Sequence, residues 1–114
     1  LIKGKFHINF RAGEVPFRSR YFLGIGESEF YLNREIDGKY PNLTGGPPIL
    51  KLNEWRQIKI ILNGTNIKVY LDNELKLDYT DTDLPLIFGK FAFETAPNSE
   101  ALFDDINVDV VELR

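Results

Sequence analysis

The chain has 114 residues, 43% of them hydrophobic and 13% aromatic, enough apolar side chain for one packed two-layer domain over residues 1–114 and too much for a disordered chain. Lys and Arg number 14 against 17 Asp and Glu, a formal net charge of -3, and no basic run stands out, which argues against a nucleic-acid partner. No apolar run approaches the roughly 20 residues that cross a bilayer, and the absence of cysteine removes disulfides, thiol nucleophiles and cysteine metal sites.

The chain opens as a strand already in progress. From Ile2 to Arg11 the apolar positions Ile2, Phe6, Ile8 and Phe10 alternate with Lys3, Lys5, His7, Asn9 and Arg11, the period of two of a half-buried strand. Gly13 and Pro16 break it, and extended structure resumes at Tyr21–Ile25. After a turn at Gly26-Glu27-Ser28, Phe30, Leu32 and Ile36 alternate with Tyr31, Asn33 and Glu35 over Glu29–Ile36, which predicts a hairpin. Asp37-Gly38 closes it, and Lys39–Pro48, rich in Gly, Pro and Asn and containing Tyr40, reads as the longest irregular segment.

Trp55, Ile58, Ile60 and Leu62 crowd the next run, and Ile67, Val69 and Leu71 alternate in the one after. Asn63-Gly64 between them predicts a type I′ hairpin turn, and Trp55, at the start of an apolar strand, is expected in the core. Asp72-Asn73 makes a second tight turn into Glu74–Tyr79, with Leu75, Leu77 and Tyr79 on one face. An acidic turn at Thr80–Pro85, a strand at Phe88–Thr95 and a last strand at Ala101–Val111 complete a pattern of about eight strands with turn signals every 8 to 12 residues, the spacing of an antiparallel sandwich. Asn42-Leu43-Thr44 and Asn63-Gly64-Thr65 are acceptor patterns for N-glycosylation, and they favour an extracellular or cell-surface location.

The segments WRQIKIILNGTNIKVYLDNELKLDYTD, GKFAFET and ALFDDINV resemble the concanavalin A-like lectin/glucanase superfamily, and within it the laminin-G-like and carbohydrate-binding jelly rolls. The resemblance covers Trp55–Val108, and it implies an all-β jelly-roll sandwich. Members of that superfamily usually carry opening strands ahead of the position of Leu1, so the expectation is a partial sandwich, completed by upstream residues or by self-association through an open sheet edge. The resemblance also implies that Asp104 and Asp105 join a structural calcium site; otherwise these carboxylates cap loop amides. Glu35-Ile36-Asp37 resembles the start of the glucanase E-x-D-x-x-E core, but Tyr40 stands where its third acid would be, so no catalytic residue is assigned.

The polar face of the early strands carries the candidate binding chemistry. His7, Asn9, Arg11, Tyr31, Asn33 and Glu35 combine planar hydrogen-bonding groups with an aromatic ring, and Tyr21, Tyr31 and Tyr40 are candidates to stack on sugar faces. The equally open alternative is an ordinary solvated sheet. His7 is the only histidine, which leaves no His-based metal cluster or Ser-His-Asp triad. The leading expectation is a non-catalytic carbohydrate-binding module. A structural or adhesive module that docks on protein, and a glycoside hydrolase fragment, are the alternatives.

Overall fold

Alternation of apolar and polar side chains turns one side of each strand toward a shared core, and the chain meets that demand with two facing antiparallel sheets. The computed structural model describes residues 2–3, 5–13, 19–26, 29–39, 41–48, 55–83, 86, 89–95 and 100–101. The strands are β1 (Ile2–Lys3), β2 (Lys5–Gly13), β3 (Ser19–Gly26), β4 (Phe30–Ile36), β5 (Asn42–Gly45), β6 (Ile58–Asn63), β7 (Asn66–Leu71), β8 (Glu74–Thr80), β9 (Lys90–Thr95) and β10 (Glu100–Ala101). A five-stranded sheet runs β5-β4-β3-β2-β9, a three-stranded meander runs β6-β7-β8, and β1 pairs with β10. The fold is the antiparallel β-sandwich that the period of two predicts.

Between the sheets, Phe6, Ile8, Phe10, Tyr21, Leu23, Ile25, Phe30 and Leu32 from the first sheet meet Ile67, Val69, Leu71 and Leu77 from the second. At one end of this core lies a buried polar cluster. Asp81 and Arg34 are buried side chains joined by a 2.6 Å ion pair, and the Tyr21 hydroxyl donates to the same Asp81 oxygen at 2.6 Å while accepting from the Leu86 N–H at 3.1 Å. The other Asp81 oxygen accepts from the Asp83 N–H at 3.1 Å. A charged pair is tolerated at this depth because its hydrogen-bonding capacity is met.

Several expectations from the sequence are corrected. Lys39–Pro48 is not wholly irregular, since Asn42–Gly45 pairs with β4 as an edge strand. Trp55 is not in the core: the strand starts only at Ile58, and Trp55 is 66% exposed. Leu75 leaves the face it was expected to share with Leu77, because Val69 faces Leu77 while Tyr70 faces Leu75. That extra residue is a β-bulge, which flips the side chains beyond it, and Leu75 is half exposed. In the β6–β7 hairpin Asn63 pairs with Asn66, so the loop is Gly64-Thr65. Of the two, only Gly64 has positive φ, at 59°, the type II′ pattern rather than type I′. The type I′ pattern occurs instead at Asp72-Asn73, with φ of 49° and 69°, and at Asp37-Gly38, with 50° and 78°. Of the expected last strand, Ala101–Val111, only Ala101 falls within the described residues.

Candidate functional site

Because β2, β3, β4 and β9 direct their apolar side chains inward, their intervening residues share the outer face of the five-stranded sheet, and register sorts them into rows. One row runs Glu94, His7, Gly24, Tyr31, Gly45, and the next runs Ala92, Asn9, Phe22, Asn33, Asn42. Arg20 and Glu35 pair in a third. Five of the residues expected at a binding face, His7, Asn9, Tyr31, Asn33 and Glu35, are thus brought together.

Tyr31 is placed by what flanks it. Its neighbours in the adjacent strands are both glycine, and a Cβ on Gly24 would lie 2.2 Å from Tyr31 Cζ. The phenol therefore lies down over Gly24, with one ring face covering the backbone and the other turned away from the sheet. Phe22 and His7 stand edge-on to it, at centroid distances of 6.3 Å and 6.1 Å.

Around that ring runs a polar network. His7 Nε2 lies 2.9 Å from the Tyr31 hydroxyl and Nδ1 3.0 Å from Glu94 Oε1. Arg20 donates to Glu35 Oε1 at 2.7 Å, to Asn9 Oδ1 at 2.8 Å and to Glu94 Oε1, and its guanidinium sits 4.5 Å over the Phe22 ring. Burial would push the Glu94 carboxyl up, but the hydrogen bonds from Arg20 and His7 outweigh it and bring the pKa down to about 2. Burial likewise acts to lower Arg20, and the bonds to Glu94 and Glu35 reverse it, so its pKa is raised. Asn33 Oδ1 is buried and has no hydrogen-bond partner among the described residues. An acceptor in that condition costs about 1–3 kcal/mol until a donor reaches it.

Two expected residues are elsewhere. Arg11 is not on this face: three residues of β2 span two of β3 and two of β9, and Arg11 sits in that bulge with φ of 50°. The bulge swings its side chain away, and the guanidinium donates to the carbonyls of Gly64 at 2.5 Å and Leu86 at 2.9 Å. Gly89 makes the turn possible, since a Cβ there would lie 2.3 Å from the Arg11 carbonyl carbon. Tyr21 is fully buried and offers no ring face to a sugar. Burial first, then its bond to Asp81, pushes the Tyr21 hydroxyl up to about 12. Nor do Glu35 and Asp37 line up as a glucanase pair, because Glu35 is buried on Arg20 while Asp37 lies in an exposed turn. Tyr40, Asp104 and Asp105 lie outside the described residues. Among the described residues no three His, Asp or Glu side chains gather closely enough to hold a metal ion, and no helix is long and apolar enough to cross a membrane.

Arg20, Phe22 and Glu94 were missed. For Arg20 and Phe22 the period of two carried the signal, since Tyr21, Leu23 and Ile25 point inward and positions 20, 22 and 24 must point out. Glu94 is on the face because β9 pairs with β2, a partnership that sequence distance conceals. Away from this face, a cavity of about 200 Å³ is lined by Phe30, Pro47, Pro48, Arg56, Leu71 and Lys76. Its cations face Asp72, at 2.5 Å, and Glu74, at 3.1 Å.

Neither protein-family models nor curated proteins match the chain. Among solved structures it is similar to the carbohydrate-binding module CBM66 from Bacillus subtilis, with a TM-score of 0.70 and 17% sequence identity over 84% of this chain. The chain spans 59% of that module's length, and at this identity the likeness is one of fold.

Proposed function

We propose that the chain is a non-catalytic carbohydrate-binding module of an extracellular or cell-surface protein, holding a glycan on the outer face of its five-stranded sheet. The observation that carries this reading is Tyr31, its ring laid over Gly24, with Gly45 as its neighbour in the other adjacent strand and His7, Asn9, Asn33 and Glu94 on the same face. A ring parallel to the sheet gives a sugar's apolar C–H face something to lie on. The surrounding amide, imidazole and carboxylate groups are of the kind that orient hydroxyls. The fold shared with a carbohydrate-binding module supports the reading by analogy, since one sandwich hosts many functions.

The test is a glycan array with the purified chain, followed by titration of each positive glycan. Saturable binding that weakens at least tenfold, about 1.4 kcal/mol, in a folded Tyr31→Ala variant is the expected result. Silence across plant, bacterial and host glycans refutes the reading. A second reading, a module that docks on protein, is favoured by one observation: Trp55, Leu75 and Phe91 are large apolar side chains left exposed or half exposed. Wild-type glycan binding by a Trp55→Ser/Leu75→Ser/Phe91→Ser variant keeps the two readings apart.

A further inference from the structure

Two asparagines flank Phe22 in one row of the outer face, Asn9 in β2 and Asn33 in β4. Alternation makes them equivalent, but their surroundings do not. Asn9 is buried, its Oδ1 accepts from Arg20 at 2.8 Å, and a hydrogen bond from its amide helps hold the Glu94 carboxyl low. That amide is committed to the network within the face. Asn33 is only partly buried, yet its Oδ1 is shut away with no hydrogen-bond partner among the described residues.

An unmet buried acceptor weakens the fold that carries it, so the fold gains nothing from this carbonyl as it stands. A polar side chain that costs stability where a smaller one would not is the mark of a residue kept for another task. Its position supplies that task. Asn33 lies two residues from Tyr31 on the same side of β4, about 6–7 Å along the strand, within reach of the edge of a sugar ring stacked on Tyr31. The terminal torsion of an asparagine is broad, and a turn outward presents Oδ1 as acceptor beside Nδ2 as donor. Two adjacent sugar hydroxyls match that pair, one donating to Oδ1 and the other accepting from Nδ2. The contact also satisfies the carbonyl that the free protein leaves unmet.

We infer that Asn33 is the amide of this face that contacts the glycan, gripping two adjacent unsubstituted hydroxyls of the sugar stacked on Tyr31, whereas Asn9 is structural. The inference rests on the glycan reading above, and it names the ligand class as glycans whose sugars present a free vicinal diol. Isothermal titration of the full chain against neutral hexose oligosaccharides, then against monodeoxy analogues of the tightest of them, tests it together with thermal unfolding in the absence of glycan. Asn33→Ala should weaken binding at least tenfold yet melt no lower than wild type, while Asn9→Ala melts lower. Removing either hydroxyl of the gripped pair should weaken wild-type binding severalfold and leave the affinity of Asn33→Ala unchanged. Wild-type affinity in Asn33→Ala, deoxy losses that persist in it, or an Asn33→Ala chain that melts below wild type or fails to fold overturns the assignment while leaving the glycan reading intact. No saturable binding to any of these oligosaccharides removes the glycan reading and the assignment together.

Discussion

Removing the Asp81 carboxylate would leave Arg34 as a buried cation and Tyr21 as a buried hydroxyl that has lost its acceptor. Asp81 accepts three hydrogen bonds, from Arg34 and Tyr21 at 2.6 Å and from the Asp83 N–H at 3.1 Å. The remaining partner of Arg34, Asp83, is 3.3 Å away and largely in solvent, so it cannot compensate at depth. Breaking one half of a buried pair costs about 3–5 kcal/mol, chiefly through the stranded charge. A chain of 114 residues has a total stability on the order of 6–17 kcal/mol. Asp81→Ala should thus lower the urea midpoint by on the order of 2 M, taking a slope of about 1–3 kcal/mol per M. The double variant Asp81→Leu/Arg34→Met strands no charge and should be more stable than Asp81→Ala alone. Equilibrium urea unfolding followed by Trp55 fluorescence and circular dichroism measures both. A loss under about 1 kcal/mol for Asp81→Ala, or a double variant less stable than the single one, refutes the reasoning.

Glu94 has its folded pKa lowered to about 2, so its stabilising effect is full above the unfolded value of about 4.3 and lost as pH falls toward 2; Glu94→Gln should make the acid limb of a stability–pH curve shallower, and an unchanged limb counts against the network. Tyr21 is shifted the other way, to about 12, so its effect is full below the unfolded value of about 10 and lost as pH rises toward 12. Tyr21→Phe should flatten that alkaline limb, which is read from urea midpoints across the range. At Gly64, φ is 59° and nothing lies within 4 Å of an added Cβ, so Gly64→Val should cost about 1–2 kcal/mol through backbone strain alone. Gly13→Ala, in open space without positive φ, is the control, and equal melting temperatures for the two would disprove the turn assignment.

The period of two was enough to read the sandwich and the inward set on β2, β3 and β7, because one buried face imposes alternation that any sequence must carry. It failed where one residue breaks the count. The bulge at Arg11 and the bulge before Leu77 each move a side chain across the sheet, and nothing in the local composition marks either. Trp55 was misplaced because an aromatic beside an apolar run looks like its first member. The candidate face was half legible: His7, Asn9, Tyr31, Asn33 and Glu35 follow from alternation, whereas the roles of Gly24 and Gly45 and the arrival of Glu94 depend on which strands become neighbours. Asp81, read as one acid in a turn, gave no sign that the hydrophobic end of the core would close over it.

Asn42 lies across from Asn33 at the β5 edge of the candidate face, is exposed, and begins an Asn-Leu-Thr acceptor triplet. The choice of expression host therefore bears on every binding measurement. A eukaryotic secretory host that modifies this triplet would attach an oligosaccharide at the rim of the surface under assay, where it would compete as an intramolecular ligand at high effective concentration. Material from a host without that pathway, or an Asn42→Gln variant, would present the same sheet uncovered. A difference in glycan affinity between the two preparations would locate the binding surface before any complex is crystallised.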